Sequence, residues 1–361
     1  MKNHLKSVGA MFLAVSLLAG CDPDVTPPAK PGEVSERCDE ATAEYKAFDV
    51  INHEPQDKRL VAIDQMMAQF TPAETALPEA VSAKAVAAAD AILAKYQDPT
   101  TNIQAEVLAR KDKHFTGAAA DVGSELNKAI LDAVDELRVA DTKLEVKLAK
   151  QRFQKAGLYR FLYLSVMEEL YGSSYVNYDE AFGYLGTGAS NADAGRKGLA
   201  RLATSRDGNN GTTLNPELFA LIKEGSCIIE EALKAKNADT MEYGADEQYS
   251  RFVQRFDAKL QLVFAYSVGH ELFDIDLFKT NPNTAYEKLV EGEGFFRTLE
   301  PYLKNAPAGS ARANLAAQLR TEFDKAIAKA KAGDTTWISE MKATEVLLPA
   351  LEAAFAIDVK A

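Results

Sequence analysis

Phe252-Val253-Gln254-Arg255-Phe256-Asp257-Ala258-Lys259-Leu260-Gln261-Leu262-Val263-Phe264-Ala265-Tyr266-Ser267-Val268-Gly269-His270-Glu271-Leu272-Phe273-Asp274 is the stretch on which the fold reading turns. At about 100° per residue, Phe252, Phe256, Leu260 and Val263 fall on one stripe, the mark of a helix with a buried face. Continued, the stripe meets Ser267, His270, Glu271 and Asp274. Polar groups on a buried face need partners. His270 and Asp274 are four residues apart, so they can approach on that face. Asp274 can then orient the ring, neutralise its cation, or join it as a ligand of one metal ion.

The same periodicity extends in both directions. Towards the N-terminus it covers Leu60–Phe70, Ala76–Tyr96, Ala118–Val139, Thr142–Tyr171 and Asn215–Lys236. Ala245–Phe278 contains the quoted stretch, and Thr284–Leu303, Ala311–Ala332 and Thr335–Phe355 follow it. All are rich in good helix formers, and no sustained β alternation interrupts them. Asp98-Pro99 reads as a helix stop and Asp141-Thr142 as a cap. The expected fold is therefore all-α, a helical bundle of two lobes. In the helix Leu144–Tyr171, Phe153, Gly157, Leu164, Met167 and Tyr171 form a stripe, Arg160 falls within it and Glu168 lies beside it. An internal arginine demands a carboxylate. Glu168, two turns on, is the expected partner of Arg160, with an acid from the other half as the alternative.

The N-terminus carries a different signal. A basic head, Met1 to Lys6, precedes an apolar run from Val8 to Leu18, and Leu18-Ala19-Gly20-Cys21 reads as a lipobox. The run is too short to span a bilayer and precedes small residues, as a cleaved signal peptide does. Residues 1–20 are thus the expected lipoprotein signal peptide, with Cys21 as the lipidated residue. Residues 21–38 form a Pro-rich tether, with Pro23, Pro27, Pro28 and Pro31. At about 3.1 Å per residue, it holds the body within roughly 45 Å of the lipid. The N-terminal helical lobe is expected over 39–186, a polar crossover loop over 187–213, and the C-terminal helical lobe over 214–361. The Asp207-Gly208-Asn209-Asn210-Gly211 run in that loop lacks calcium-loop spacing.

Composition sets limits on partners. The formal charge is −12, and loss of Lys2 and Lys6 with the signal takes it to −14. A surface that negative repels nucleic acid and anionic lipid headgroups. With Cys21 lipidated, Cys38 and Cys227 remain of the three cysteines. In an oxidising compartment that pair is a candidate disulfide. No nucleophile elbow, phosphate loop or dinucleotide fingerprint occurs. His270-Glu271-Leu272-Phe273-Asp274 is one residue from a zinc-protease H-E-x-x-H, with Asp274 in place of the second histidine. His53 and His114 are the other histidines of the mature chain. Trp337, the only tryptophan, reads as core packing.

Tyr178-Asp179-Glu180-Ala181-Phe182-Gly183-Tyr184-Leu185-Gly186 resembles the W-D-E-A-F-G-Y-L-G signature of an uncharacterised bacterial envelope lipoprotein family, itself related to the imelysin-like helical-bundle proteins. Glu291-Gly292-Glu293-Gly294-Phe295-Phe296-Arg297-Thr298-Leu299 is similar to a second element of that family. The resemblance runs from about Phe153 to Leu303. It implies a periplasmic all-α lipoprotein, a link with iron uptake and, for some members, metallopeptidase activity. The imelysin hallmark is G-x-H-x-x-E. Here Gly269 directly precedes His270, and the trailing acid is Asp274 at a different offset.

The expectation is a lipoprotein held to a membrane through its lipid, facing the periplasm, with a binding or scaffold role. Its candidate ligand is a metal ion or metal complex held by His270, Glu271, Asp274, Asp179 and Glu180, and an envelope protein is the other candidate partner. No nucleic-acid partner is expected, and a metal ion is the only cofactor suggested. The alternatives are a metal-dependent peptidase using His270 and Glu271, and a purely structural interaction protein.

Overall fold

The computed structural model describes residues 38, 53–115, 121–186 and 197–360. The signal peptide, Cys21 and nearly all of the tether lie outside them. Every regular element among the described residues is helical. The first half comprises α1 (Glu54–Ala68), α2 (Thr71–Glu74), α3 (Val81–Tyr96), α4 (Ile103–Ala109), α5 (Gly123–Arg138) and α6 (Lys143–Gln151). A π-helical segment, Arg152–Tyr159, carries α6 without a break into α7 (Arg160–Gly172), and α8 (Tyr175–Leu185) follows. The second half comprises α9 (Gly198–Asn210), α10 (Leu214–Lys236), α11 (Glu247–Leu277), α12 (Pro282–Lys304), α13 (Ala311–Lys331), α14 (Trp337–Glu340) and α15 (Leu348–Phe355).

Side-chain caps set many of these boundaries. Thr142 and Glu145 form a reciprocal capping box at the start of α6. Asp246, Asn281 and Ser310 accept the first free backbone N–H groups of α11, α12 and α13. Asp98 accepts hydrogen bonds from the Thr100 backbone and hydroxyl just beyond α3.

Two expectations about boundaries need correction. Residues 187–196 lie outside the described set, but the rest of the supposed crossover loop is mainly the helix α9. Its Gly, Asn and Asp content disfavours a helix. Burial of Leu199, Ala200, Leu202 and Ala203 along one face overrides that preference. Asp207, near its end, accepts hydrogen bonds from the backbone N–H groups of Leu214 (2.6 Å) and Asn215 (2.9 Å), so α9 caps α10. The expected continuous helix Thr335–Phe355 is also broken. Lys342 is left-handed (φ 47°), and a π turn, Ala343–Leu347, leads into α15. Trp337 at its start is buried, as expected.

The buried apolar side chains form one contiguous cluster reaching from Cys38 to Val359, so both halves of the chain line a single interior. The antiparallel pair α11 and α12 has the most extensive contact in the fold, and α12 also touches α6, α7 and the π segment. Two glycines permit that closeness. A Cβ at Gly292 would lie 3.1 Å from Glu271 Cβ, and one at Gly294 would lie 2.7 Å from Lys155 Cβ. The E-G-E-G run therefore brings α12 against α11 and the π segment, with an acid beside each glycine. A disulfide joins Cys38 to Cys227 on α10. No helix among the described residues is long and apolar enough to cross a membrane.

Candidate functional site

The quoted stretch forms most of α11; on its polar stripe Ser267, Glu271 and Asp274 are buried and His270 is half-buried. Ser267 bonds back to the Val263 carbonyl (2.8 Å). Glu271 is 1% exposed, and Lys288 of α12 donates to it at 3.0 Å. The same ammonium lies 3.0 Å from Asp274 and 3.4 Å from Glu291. Lys155 pairs with Glu291 at 3.1 Å. His270 Nε2 is 3.7 Å from Asp274 and 3.3 Å from the Asn209 amide. Burial pushes the Glu271 carboxyl up, and Glu291 adds to this, to about 8. Burial also lowers His270, as does the neighbouring Arg206.

These residues do not fit a metal ion. The Lys288 ammonium stands between Glu271 and Asp274, where a cation would sit. Among the described residues no group of three or more His, Cys, Asp or Glu side chains is arranged to hold one. Glu271 is sealed against lysine rather than aimed at a cleft, unlike the base of a zinc peptidase.

The other candidate acids serve a separate place. The Tyr178–Gly186 motif forms α8 and locks it to α1. Tyr178 donates to the Ile222 carbonyl, Phe182 packs edge-on to His53, and Arg59 donates to the Tyr184 hydroxyl at 2.7 Å. Asp179 is fully buried and acts on His53 electrostatically. Burial and neighbouring Glu169 raise Glu180 to about 7. The five candidate ligand residues therefore do not gather around His270.

The expected Arg160–Glu168 pair is also not formed. Arg160 pairs with Glu125 of α5 at 2.7 Å. Glu168 accepts the Lys111 backbone N–H (3.0 Å) and lies 3.6 Å from Arg110. Two helical turns place Glu168 too far along α7 for Arg160, whereas α5 packs beside the π segment and supplies an acid at its level.

The densest chemistry centres on a residue that sequence spacing passed over. His114 lies between two buried aspartates: Nδ1 is 2.7 Å from Asp112 and Nε2 is 3.0 Å from Asp257 of α11. Tyr302 donates to Asp112 (2.9 Å), Tyr163 donates to Asp257, and Gln261 also donates to Asp257 (2.9 Å). Tyr163, Tyr171 and Tyr302 surround the ring. Burial alone would lower the His114 pKa, but Asp257 and Asp112 raise it to about 10. The ring is therefore an imidazolium at neutral pH, with both N–H groups committed. Burial, with the adjacent aspartates, puts both Tyr163 and Tyr302 well above the normal phenol range, so both remain donors.

This network forms a wall of a cavity of about 350 Å³. Phe115, Tyr302, Gln261 and Arg312 also line it. Phe115 and Tyr302 are stacked, with centroids 5.6 Å apart. Two more open grooves, about 490 and 430 Å³, lie around the α11–α12 turn. Glu145 and Lys331, which line the larger one, are exposed to solvent. Of these three, among the described residues, the His114 cavity is the one with a buried ionic wall.

A local signal for this site did exist. Asp112-Lys113-His114 is an Asp-x-His turn in which the His114 backbone N–H donates to Asp112 (3.1 Å). Asp257, 143 positions away, has no such signal. Comparison with known proteins found no matching family model, curated protein or solved structure.

Proposed function

We propose that this protein is a lipid-anchored, periplasm-facing binding protein whose ligand site is the His114 cavity. Its ligand is a small organic molecule with an apolar body and a polar head. The observation that carries this reading is a cavity of ligand size beside a buried, fixed imidazolium. Phe115 and Tyr302 offer flat apolar contact, while Gln261, Asp257 and Arg312 offer polar recognition. A general base needs a free lone pair at the working pH. His114 has none, which favours binding over proton abstraction. The lipobox at Cys21 supports the anchor, and the Cys38–Cys227 bond suits an oxidising compartment.

The test is to purify the acylated protein from its own membranes, denature it, and identify released small molecules by mass spectrometry. Ala306→Trp, which fills the cavity from a partly exposed position, is the control. The reading expects one stoichiometric species from the wild type, lost from a folded Ala306→Trp variant. A species retained by that variant, or none in either sample, contradicts it.

A further inference from the structure

Two opposite charges line the His114 cavity, and they are not paired with each other. One belongs to the His114 network. Each ring nitrogen of His114 lies within 3.0 Å of a carboxylate, Asp112 on one side and Asp257 on the other, so the ring needs both of its hydrogens to face them. That makes one cation between two anions. The other side chains bonded to the two aspartates, Tyr163, Tyr302 and Gln261, are neutral. Among the described residues no lysine or arginine is paired with either aspartate, so this wall carries one negative charge in excess. Asp257 is the aspartate that lines the cavity. Its Oδ2 accepts from His114 and Gln261 and its Oδ1 from Tyr163, which leaves Oδ1 a free lone pair.

The opposite charge is Arg312, in the first turn of α13, which lines the same cavity. The chain holds one edge of its guanidinium. Nε donates to the Ala354 carbonyl at 3.3 Å, and the central carbon lies over the Phe355 ring, 5.0 Å from its centre. Among the described residues, Nη1 and Nη2 have no hydrogen-bond or ion-pair partner. The fold thus fixes a planar donor fork and leaves its outer two nitrogens unused. Such a fork matches a carboxylate. Phe115 and Tyr302, stacked on each other, supply the apolar surface of the same cavity.

A ligand that answers only one of these charges leaves the other stripped of water and unpaired, which is costly. We infer that the His114 cavity takes a zwitterion: a free amino acid with a large apolar side chain, its carboxylate on the Arg312 fork, its ammonium on Asp257 and its side chain against Phe115 and Tyr302. This rests on the reading of that cavity as the ligand site and adds the chemical class of the ligand. A fatty acid would leave the excess charge at Asp257 unanswered, and a simple amine would leave Arg312 so.

The species released from the membrane-derived protein is assayed for an amine and a carboxylate on one molecule. The inference expects both. A stoichiometric species with only one of them, or neither, overturns the inference and leaves the binding role standing, whereas no species at all overturns both. In solution, mature protein dialysed free of ligand is titrated calorimetrically with L-phenylalanine, with L-phenylalaninamide, which lacks the carboxylate, and with N-acetyl-L-phenylalanine, which lacks the ammonium. The free amino acid is expected to bind on the order of ten- to a hundredfold more tightly than either derivative. Arg312→Gln should abolish its advantage over the amide and leave the affinity for the amide unchanged, whereas a merely structural role of Arg312 would weaken both. Equal affinity for the three probes, or a blocked derivative that binds as tightly as the free amino acid, overturns the inference. So does the absence of binding by L-phenylalanine, L-leucine and L-tryptophan at millimolar concentration. The probe series uses only wild-type protein, so it decides the matter even if Arg312→Gln does not fold.

Discussion

The His114 network makes a quantitative prediction about alkaline stability. In the unfolded chain a histidine has a pKa near 6.5, whereas the folded His114 is held at about 10. Its raised pKa means that the stabilisation is fully present below about pH 6.5 and is lost as pH rises through about 10. Between those limits the native state binds one proton more than the unfolded state, so stability falls by up to roughly 1.4 kcal/mol per pH unit. From pH 8 to 9.5 this group sets most of the slope, and its own share is the difference between the wild type and His114→Gln. Glu180, raised to about 7, has largely released its proton by the lower end, whereas Glu271, raised to about 8, is still half protonated there and adds a smaller loss of the same sign. Tyr163 and Tyr302 add nothing until unfolded tyrosine ionises near 10. The expected loss over the interval is about 2 kcal/mol. It is read from urea midpoints at several pH values. His114→Gln removes the titrating cation and leaves Asp112 and Asp257 buried without it, a change that typically costs about 3–5 kcal/mol at pH 7. That variant should also lose most of the slope between pH 8 and 9.5. A flat wild-type profile there, or an equal slope in His114→Gln, would refute the assignment of a fixed imidazolium.

Three further outcomes follow from the same structure. Lys288→Met strips the shared cation from Glu271, Asp274 and Glu291 and should cost about 3–5 kcal/mol in denaturant unfolding. Adding Asp274→Asn should recover part of that loss, and a purely additive double mutant would contradict the shared-cation geometry. Gly294→Ala places a Cβ 2.7 Å from Lys155 Cβ and 3.1 Å from the Ala156 backbone nitrogen, so overpacking should cost about 1–3 kcal/mol, read as a lower Tm. Cys21→Ser should abolish incorporation of labelled palmitate and release the body from membranes, and unchanged labelling would remove the anchor from the proposal.

The helices were legible because their signals are local. Periodicity located α11, α12 and α13 to within a few residues, and the Thr142 capping box and the Asp98 stop are encoded in adjacent residues. The burial of Glu271 and Asp274 was legible as well, since they continue an apolar stripe, whereas His270 on the same stripe is half-buried. Their partners were not. Lys288, Lys155 and Arg206 come from three other elements, and side-chain spacing along α11 carries no information about them. Arg160 shows the same limit: a same-helix acid was expected, yet Glu125 reached it from a neighbouring helix. Helix α9 was missed because its polar composition favours a loop, and burial against α10 and α11 decides otherwise. Asp257 lay within the stretch that revealed the helix, but its importance comes from His114 and Tyr163, both more than ninety positions away.

The most direct test of the account is a crystal structure of the acylated protein taken from its own membranes without exposure to denaturant. The account predicts ordered density for one small organic molecule in the His114 cavity, lying against Phe115 and Tyr302 and bonded to Gln261, Asp257 or Arg312. A cavity filled only with water, in protein never stripped of its natural ligand, would contradict it.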